Sequence, residues 1–445
     1  MVEEEKKKLK LLVAAEAHNQ PTGYGIVMKN LVLGLIKKGW DIWYVGFQHY
    51  GNPIQYGDAE GNRWLELQSG LVPMGEPGFP DYIGDYCDAF EPDIVFSLID
   101  IFYTDVMIRE CNNRAIPYVS YWPVDNPNFR LQWIDRLKYM SYPLTISKFG
   151  VRTVMDTVKK YGTGGWSSHF NIDYIYHGVD TKTFDRFPKE QIEKNREMIF
   201  KDKRKFPAGK DTFVYFFCGK NNRRKQIDRL LKAFSIVAKK YRDVVLFLKV
   251  GDPMNYHRLG LDIGDLLQKF DIIDRVKILD TKSNFLEGIS ERTLAGWYNV
   301  SDVHVSSTGG EGFGLTTIES FACGKPVIIT DCSTSPELIG RGKDARGWLV
   351  PVKTSSYMDY NGLWSLVDIE KMAEIMEEAY LNRKEVKRRG NNAYRWVREN
   401  LTWDNIVDQF DKYLRKAVKE YSSITREDLK KLAEEDGSEK KSSVS

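Results

Sequence analysis

The strongest constraint on the fold is an alternation of short apolar runs with helical patterns, which occurs in both halves of the 445-residue chain. Residues 9–15 (LKLLVAA) form the first run, and a loop with Gly23 and Gly25 leads from it to a helical pattern over 26–38. Nearly continuous apolar runs are typical of parallel strands whose sheet is covered by helices on both faces. Further strands are predicted at 41–45, 93–98, 117–122, 144–146 and 172–176, and then at 213–218, 244–250, 276–279, 303–306, 327–330 and 347–350.

A charged stretch of weak periodicity, residues 186–210, interrupts this alternation and indicates a domain boundary. The pattern predicts an α/β protein of two doubly wound domains, with ligands in the cleft where the carboxyl ends of their strands face each other. Strong helical patterns follow at 369–400 and 405–420. The predicted organisation is a first domain at 1–190, a linker at 191–210, a second domain at 211–402, a helix at 403–422 and a charged, mobile tail at 423–445.

Composition excludes several classes of protein. The net charge of +3 is small for this length and disfavours a nucleic-acid binder. The five cysteines show no paired spacing, which indicates buried thiols in a reducing compartment rather than disulfides or a zinc site. The charged first ten residues do not resemble a signal peptide, and there is no apolar stretch of about 18 residues to span a bilayer. We therefore expect a cytoplasmic protein, with contact to a membrane surface left open; residues 159–166 are the candidate for it.

A glycine-rich loop at 306–314 lies between the strand at 303–306 and a helical segment. Its glycines let backbone N–H groups approach an anion, and the helix N-terminus adds positive dipole there. Glu311 and Glu319 flank the start of the helix. A carboxylate cannot hold a phosphate, but it accepts hydrogen bonds from hydroxyl groups attached to that phosphate, such as those of a sugar and a ribose. The loop therefore predicts a sugar-nucleotide site.

Both elements of this site have a structural alternative. Thr316 to Glu319 matches a capping box, in which Glu319 would serve only the helix start. A basic cluster at 219–226 follows the strand at 213–218 and could be a solvated loop. Because it lies at the ligand-binding edge of the same domain, we interpret it as a diphosphate clamp with Lys220 and Lys225, and Arg224 as an additional contact.

The remaining polar motifs are weak. The Gly23–Gly25 loop lacks the full dinucleotide-binding pattern. The six histidines show no metal-ligand spacing, and no Asp-x-Asp is present to hold a divalent metal at a diphosphate. We therefore expect no metal and no cofactor.

Several motifs of the sequence together resemble a known family, the retaining glycosyltransferases of family 4 with the GT-B fold. The resemblance rests on Glu311-Gly-Phe-Gly-Leu-x-x-x-Glu319, on 322–327 (ACGKPV) and on 335–339 (SPELI). Further matches are Gly219-Lys220 with Lys225, 177–180 (HGVD) with Phe184, 145–149 (TISKF) and Trp403. The resemblance covers the chain from about residue 9 to 421.

The resemblance implies an N-terminal Rossmann-like domain for the acceptor, a C-terminal one for the nucleotide sugar, and a final helix that returns to the first domain. Glu311, Lys225 and Lys220 would be catalytic, with Glu311 on the hydroxyls of the transferred sugar and Glu319 on the ribose. The other donor-binding residues would be Gly23, Gly25, Arg224, Gly312, Phe313, Gly314, Leu315 and Thr316.

Two departures from the family pattern stand out. Lys220 replaces the usual Arg, which keeps the charge but weakens bidentate phosphate binding. Trp122 occupies the place of a frequent histidine; Trp122, Asp125 and His177 are candidates for contact with the acceptor or sugar, or else part of a strand end.

The predicted function is transfer of a sugar from a nucleoside-diphosphate sugar (UDP- or GDP-sugar) to a hydroxyl acceptor such as a glycan, a lipid carrier or a small sugar, with retention and without metal. A sugar-nucleotide epimerase, a sugar phosphorylase and a non-enzymatic sugar-nucleotide-binding regulator are the alternatives.

Overall fold

The computed structural model describes residues 8–20, 22–199, 212–250, 260–279, 289–358 and 361–422. Within these ranges the chain forms two compact units. The first contains residues 8–124, 129–177 and 403–422, and the second contains 125–128 and 178–402. Both are α/β units, and the final helix belongs to the first, as the predicted fold class requires.

The first unit is built on an eight-stranded sheet with the order β3-β4-β2-β1-β5-β6-β7-β8. Its pairs are parallel except for β3 with β4, which are antiparallel. The central strands are fully buried, as their continuous apolar sequences predict. The strands are β1 (Lys10–Glu16), β2 (Asp41–Phe47), β3 (Ile54–Gly57), β4 (Arg63–Gln68), β5 (Ile94–Leu98), β6 (Tyr118–Trp122), β7 (Tyr142–Thr145) and β8 (Asp173–Tyr174).

Helices of the first unit pack on this sheet, and the last helix of the chain joins them. They are α1 (Gly23–Lys37), α2 (Ile83–Phe90), α3 (Asp105–Arg114), α4 (Ile134–Leu137), α5 (Lys148–Tyr161) and α6 (Trp166–His169). The last helix, Trp403–Ser422, packs on α1, where Gly34 leaves room for the side chain of Val407. Trp40 Nε1 donates a hydrogen bond to Asp411 Oδ1 at 2.7 Å, and Phe410 packs against Phe96 with ring centroids 5.7 Å apart.

The second unit repeats the design with a six-stranded parallel sheet of order β11-β10-β9-β12-β13-β14. Its strands are β9 (Phe213–Gly219), β10 (Val244–Val250), β11 (Val276–Ile278), β12 (Val303–Ser306), β13 (Val327–Thr330) and β14 (Gly347–Val350). A separate antiparallel hairpin, β15 (Val352–Tyr357) with β16 (Leu363–Val367), follows β14. We call it the 352–367 hairpin.

The helices of the second unit are α7 (Lys189–Ile199), α8 (Ile227–Lys240), α9 (Ile263–Lys269), α10 (Glu291–Val300), α11 (Leu315–Ala322), α12 (Ser335–Ile339), α13 (Ile369–Leu381) and α14 (Arg383–Asn400). The helix Trp403–Ser422 is α15. The predicted helix at 369–400 is thus two helices, because Asn382 caps the second through its side chain, which accepts from Glu385 N.

The boundary between the units differs from the predicted one at residue 190. The first unit ends at His177, because the segment after it is fastened to the second unit. There Arg398 Nη2 contacts Asp185 Oδ1 at 2.7 Å, and Phe187 N donates to Asn299 Oδ1 at 2.8 Å. Residues 189–199 of the predicted linker form α7, in which Arg196 contacts Asp302, while 200–210 lie outside the described residues, as does the predicted tail at 423–445.

Candidate active site

The glycine-rich loop after β12 is fastened by its backbone to the basic cluster after β9. Gly309 N donates to the carbonyl of Arg224 at 2.7 Å, and Ser307 Oγ donates to the carbonyl of Lys225 at 2.8 Å. Because β9 and β12 are neighbours in the parallel sheet, the segments that follow them emerge at the same edge. The two motifs that the sequence placed about 90 residues apart therefore form one site.

Glu311 lies at the centre of this site between two cations. Its Oε2 accepts from Arg224 Nη1 at 2.9 Å, and its Oε1 accepts from Lys225 Nζ. The side chains of Lys225 and Glu311 are only 12% and 13% exposed, so their charges interact with little screening by water. Arg224 Nη1 also donates to the Gly310 carbonyl, which fixes the guanidinium against the loop.

The charges of this cluster perturb one another. Burial alone would raise the pKa of Glu311, but Lys225 and Arg224 lower it to about 2 through charge and hydrogen bonds. Burial and the neighbouring Arg224 lower the pKa of Lys225, and Glu311 opposes that shift. A single carboxylate thus holds two cations in place.

The turn after β13 holds the other side of Glu311. Glu311 N donates to Ser333 Oγ at 2.8 Å, and Thr334 Oγ1 lies 2.8 Å from the Glu311 carbonyl and 2.9 Å from that of Gly312. Ser333 has a φ of 44°, an uncommon conformation for a residue with a side chain. The backbone of Glu311 is therefore positioned by two hydroxyl groups that sequence reasoning did not identify.

Helix α11 begins directly after the loop and excludes the capping-box interpretation. Its first residue is Leu315, and the cap is Gly314 at φ 109°, without a side-chain hydrogen bond. Thr316 therefore lies inside the helix, and Glu319 does not reach back to its start. The first N–H groups of the helix, beginning at Leu315, have no acceptor within it and carry the positive end of its dipole.

Glu319 contacts a tyrosine instead. Tyr298 Oη donates to Glu319 Oε2 at 2.9 Å. Burial raises the pKa of Glu319 to about 7, and the hydrogen bond from Tyr298 only partly opposes this. A carboxylate with this pKa at a helix that follows a glycine-rich loop is a candidate ligand-binding group.

A short segment from the first half of the chain, 125–128, belongs to the second unit. It lies against Gly310, where an added Cβ would collide with the Asp125 carbonyl. Leu363 N donates to Asn126 Oδ1 at 3.2 Å, and Asn128 Nδ2 donates to the Asn361 carbonyl at 2.7 Å. Burial raises the pKa of Asp125, while Arg224 opposes and Glu311 reinforces that shift. Asp125 is thus a second carboxylate within electrostatic reach of Arg224.

The 352–367 hairpin supports the loop from another side. Gln226, buried and at φ 48°, donates through Nε2 to the Ser365 carbonyl at 2.6 Å and accepts from Val367 N through Oε1 at 3.1 Å. Trp364 lies under the Arg224 guanidinium, 5.8 Å from its ring centroid, and an added Cβ at Gly310 would come within 3.0 Å of the Trp364 ring. Neither Gln226 nor Trp364 carries a recognisable sequence signal.

Three other predicted residues, Lys220, Trp122 and His177, have surroundings of their own. Lys220 is exposed at the end of β9, and the structure records no hydrogen bond or ion pair between it and Glu311. Trp122 has no exposed surface and packs in the core of the first unit. His177 is buried beside Tyr121, with Nδ1 3.2 Å from the Tyr121 Oη, and burial lowers its pKa to about 3.

Gly23 and Gly25 lie in the first unit, inside the first turn of α1 rather than in a loop before it. Thr22 caps this helix by accepting from Gly25 N at 3.1 Å. An added Cβ at Gly25 would collide with the Gln20 carbonyl, so the tight turn after β1 requires this glycine.

Among the residues that the structure describes, no group of three or more His, Cys, Asp or Glu side chains is arranged to bind a metal. None of the described helices combines the length and the apolar character that crossing a bilayer requires. The five cysteines are free and buried.

The two α/β units have the GT-B fold, which the chain shares with solved glycosyltransferases. Residues 198–396 match the family of glycosyl transferases group 1, as the resemblance predicted.

Several named proteins are similar to this chain. Lipopolysaccharide core biosynthesis mannosyltransferase LpsB of Rhizobium meliloti is 25% identical over 207 residues, which cover 46% of this chain and 53% of that protein. The chain thus spans about half the length of this curated relative. Sucrose-phosphate synthase from Thermosynechococcus elongatus has a TM-score of 0.69 at 17% identity, covering 92% of this chain and 98% of that one. Anabaena HepE in complex with UDP-glucose has a TM-score of 0.66 at 14% identity, covering 92% and 100%.

Proposed function

We propose that this chain is a retaining hexosyltransferase that moves a sugar from a nucleoside-diphosphate sugar to a hydroxyl acceptor without a metal. The observation that carries the proposal is the arrangement of Lys225, Arg224 and Glu311 at the loop before α11. Two cations and a helix N-terminus suit a diphosphate, and the carboxylate between them suits the hydroxyls of the sugar attached to it.

The reaction breaks the bond between the anomeric carbon of the sugar and the diphosphate oxygen. Negative charge develops on the departing diphosphate, where Lys225, Arg224 and the first N–H groups of α11 stabilise it. Because the Gly310 carbonyl holds the Arg224 guanidinium before substrate arrives, this group needs little reorganisation. Glu311 accepts hydrogen bonds from sugar hydroxyls and so fixes the orientation of the ring.

Retention requires the acceptor to approach the face from which the diphosphate leaves. The departing phosphate oxygen then takes the proton of the attacking hydroxyl, so the protein need not supply a nucleophile. Glu319 accepts hydrogen bonds from the ribose, and Lys220, exposed at the end of β9, adds positive charge for the diphosphate. Asp125 contributes to recognition of the sugar, since it lies near the same cations.

We further propose that the donor is a UDP- or GDP-sugar. A UDP-glucose complex of a structural neighbour supports the first, and the mannosyltransferase relative supports a mannose donor. The first unit would bind the acceptor, a glycan, lipid-linked or small sugar. The five buried free thiols suit a cytoplasmic location, including one at a membrane surface.

The test combines binding with turnover. Thermal shift against UDP, GDP and ADP and their sugars identifies the base, because a ligand that binds only the folded state raises its melting temperature. Release of nucleoside diphosphate, with formation of a glycoside of retained configuration, is then expected from the wild type. Lys225→Met is expected to abolish release, whereas Lys371→Met, which removes an exposed cation paired with Glu374, is expected to have no effect. Normal release by Lys225→Met would refute the assignment.

A further inference from the structure

A fully buried carboxylate, Glu66, lies between two histidines in the first unit. His18 follows β1, His49 follows β2, and Glu66 is in β4, so three parallel strands of the sheet bring these side chains together at one edge. The side chain of Glu66 is 0% exposed. An added Cβ at Gly46 would lie 2.7 Å from Glu66 Oε1, so this glycine provides the space that the carboxylate occupies.

The contact with His18 fixes which nitrogen of that ring carries a proton. His18 Nδ1 lies 2.5 Å from Glu66 Oε2. A carboxylate accepts hydrogen bonds and an imidazole N–H donates them, so Nδ1 is the N–H donor of this contact, and a ring with this one proton presents Nε2 as an acceptor. In the described part of the chain Nε2 has no hydrogen-bond partner, and the His18 side chain keeps 12% of its surface exposed. A carboxylate that holds an imidazole by Nδ1 and leaves Nε2 free is the arrangement by which enzymes present a histidine to a hydroxyl group.

His49 is bound on its other side. Its Nε2 lies 3.1 Å from the Asn52 carbonyl, which can only accept, so Nε2 carries a proton. Its Nδ1 faces Glu66 Oε1 at 3.5 Å, and that oxygen has no hydrogen bond within the described chain. Glu66 Oε1 is therefore left without a hydrogen bond among the described residues, and His49 does not compete with His18 for Oε2.

Aromatic rings flank His18. Its ring centroid lies 4.0 Å from that of Tyr56 and 5.3 Å from that of Trp64. Trp64 Nε1 is buried without a hydrogen-bond partner among the described residues. Aromatic faces beside a few oriented polar groups are typical of sites that bind sugars and polyols.

The chemistry favours a neutral ligand. The Glu66 carboxylate directly behind the His18 ring disfavours an anion such as phosphate. Among the described residues, no Lys or Arg side chain is paired with Glu66. Among described residues the cluster is also not arranged as a metal site.

We propose that His18, oriented by Glu66, accepts a hydrogen bond through Nε2 from a hydroxyl group of a neutral sugar or polyol acceptor bound to the first unit. The inference rests on the proposed function, because it assigns a binding residue to the hydroxyl acceptor of that reaction. His18 is thus a substrate-binding residue, and Glu66 is the residue that positions it.

Histidine-selective ¹⁵N NMR of the full chain tests this directly, with His18→Asn identifying the His18 signals. The probes are methyl α-D-glucopyranoside, methyl α-D-mannopyranoside, myo-inositol and inorganic phosphate. We expect His18 to be protonated at Nδ1, and at least one neutral probe, but not phosphate, to move its Nε2 resonance. A His18 protonated only at Nε2, no shift with any neutral probe, or a shift with phosphate alone would each overturn the proposal.

Variants separate binding from a structural role. His18→Asn keeps an N–H for Glu66 but lacks the Nε2 acceptor, and we expect it to raise the KM for the acceptor about tenfold without changing the thermal shift by nucleoside diphosphates. Glu66→Gln no longer fixes the tautomer, and we expect it to abolish most of the probe-induced shift of His18. His169→Asn alters an exposed histidine of the same unit and is expected to behave as wild type.

Two results distinguish this inference from the proposed function. A wild type that no nucleoside diphosphate stabilises would refute the proposed donor chemistry. The probe-induced NMR shifts of His18 would still test its contact with a neutral ligand. Conversely, an unchanged acceptor KM in His18→Asn, with normal transfer, would remove His18 from the acceptor site and leave the Lys225–Glu311 proposal intact.

Discussion

Glu311→Gln separates the structural role of Glu311 from its proposed role toward the sugar. The substitution keeps the shape of the side chain and removes its charge. Lys225 and Arg224 then remain as neighbouring cations without the carboxylate that now contacts both. The protein should therefore become less stable, while its affinity for an anionic ligand should rise.

The size of the stability loss follows from the pKa of Glu311. Lys225 and Arg224 lower it from 4.5 to about 2, which corresponds to about 3 kcal/mol in the free energy of unfolding. Because the folded-state pKa is the lower one, this stabilisation is present above pH 4.5 and is lost as the pH falls towards 2. Glu311→Gln should thus lose about 3 kcal/mol at neutral pH, and its stability should decline less than that of the wild type on acidification.

Urea unfolding at neutral and acidic pH measures this difference, and calorimetric titration with UDP and GDP measures the affinity. We expect the preferred nucleoside diphosphate to bind Glu311→Gln at least as tightly as wild type, because both cations are free to contact it, while sugar transfer is lost. Glu374→Gln, in an exposed pair with Lys371, is the control and should change stability by less than about 1 kcal/mol.

Two outcomes would refute the reasoning. An unchanged urea midpoint in Glu311→Gln would show that the cluster does not stabilise the fold. Weaker binding of the free nucleoside diphosphate would show that the carboxylate, rather than the two cations, organises the site for the anion.

Three further predictions concern other positions. Burial raises the pKa of Glu319 to about 7, so its protonated form adds stability that is fully present below the ordinary pKa of 4.5 and is lost as the pH rises through 7. The affinity for nucleoside diphosphate should increase over the same rise in pH. Glu319→Gln should remove both pH dependences, as unfolding and binding measurements across pH would show. Gly310→Ala should destabilise the second unit and abolish transfer because its Cβ has no space, whereas Gly264→Ala, in the open first turn of α9, should be neutral or stabilise by up to about 1 kcal/mol in thermal melts. Gly34→Ala should lower the melting temperature, since its Cβ would collide with the Val407 side chain, and Val407→Ala should partly restore it in the double variant; additive effects would contradict that contact.

The sequence was most informative where a strand is buried on both faces. Residues 244–250, 303–306, 327–330 and 347–350 form strands with the predicted limits, because continuous apolar runs are typical of the interior of a parallel sheet. β3, β4 and the 352–367 hairpin were missed. They are partly exposed strands, mostly in antiparallel pairs, and their mixed polar sequences lack a clear period.

The site was predictable in part. The sequence motifs indicated Glu311 and Lys225, which contact each other, and Glu319, which lies on α11. The predicted GT-B fold is confirmed. Gln226 and Ser333 could not be found, because each acts through a left-handed backbone conformation and through contacts to segments far along the chain. The capping-box alternative was wrong because the helix begins at Leu315, one residue before the motif.

The position of α15 in the first unit has a consequence for the order in which the two units complete folding during synthesis. Residues 178–402 leave the ribosome as nearly the whole second unit, whereas the first unit lacks α15 until 403–422 have been synthesised. Until then the face of α1 around Gly34 is uncovered in the nascent chain. The second unit can therefore complete its folding during translation, while the first, although synthesised earlier, finishes last and depends longest on protection from aggregation.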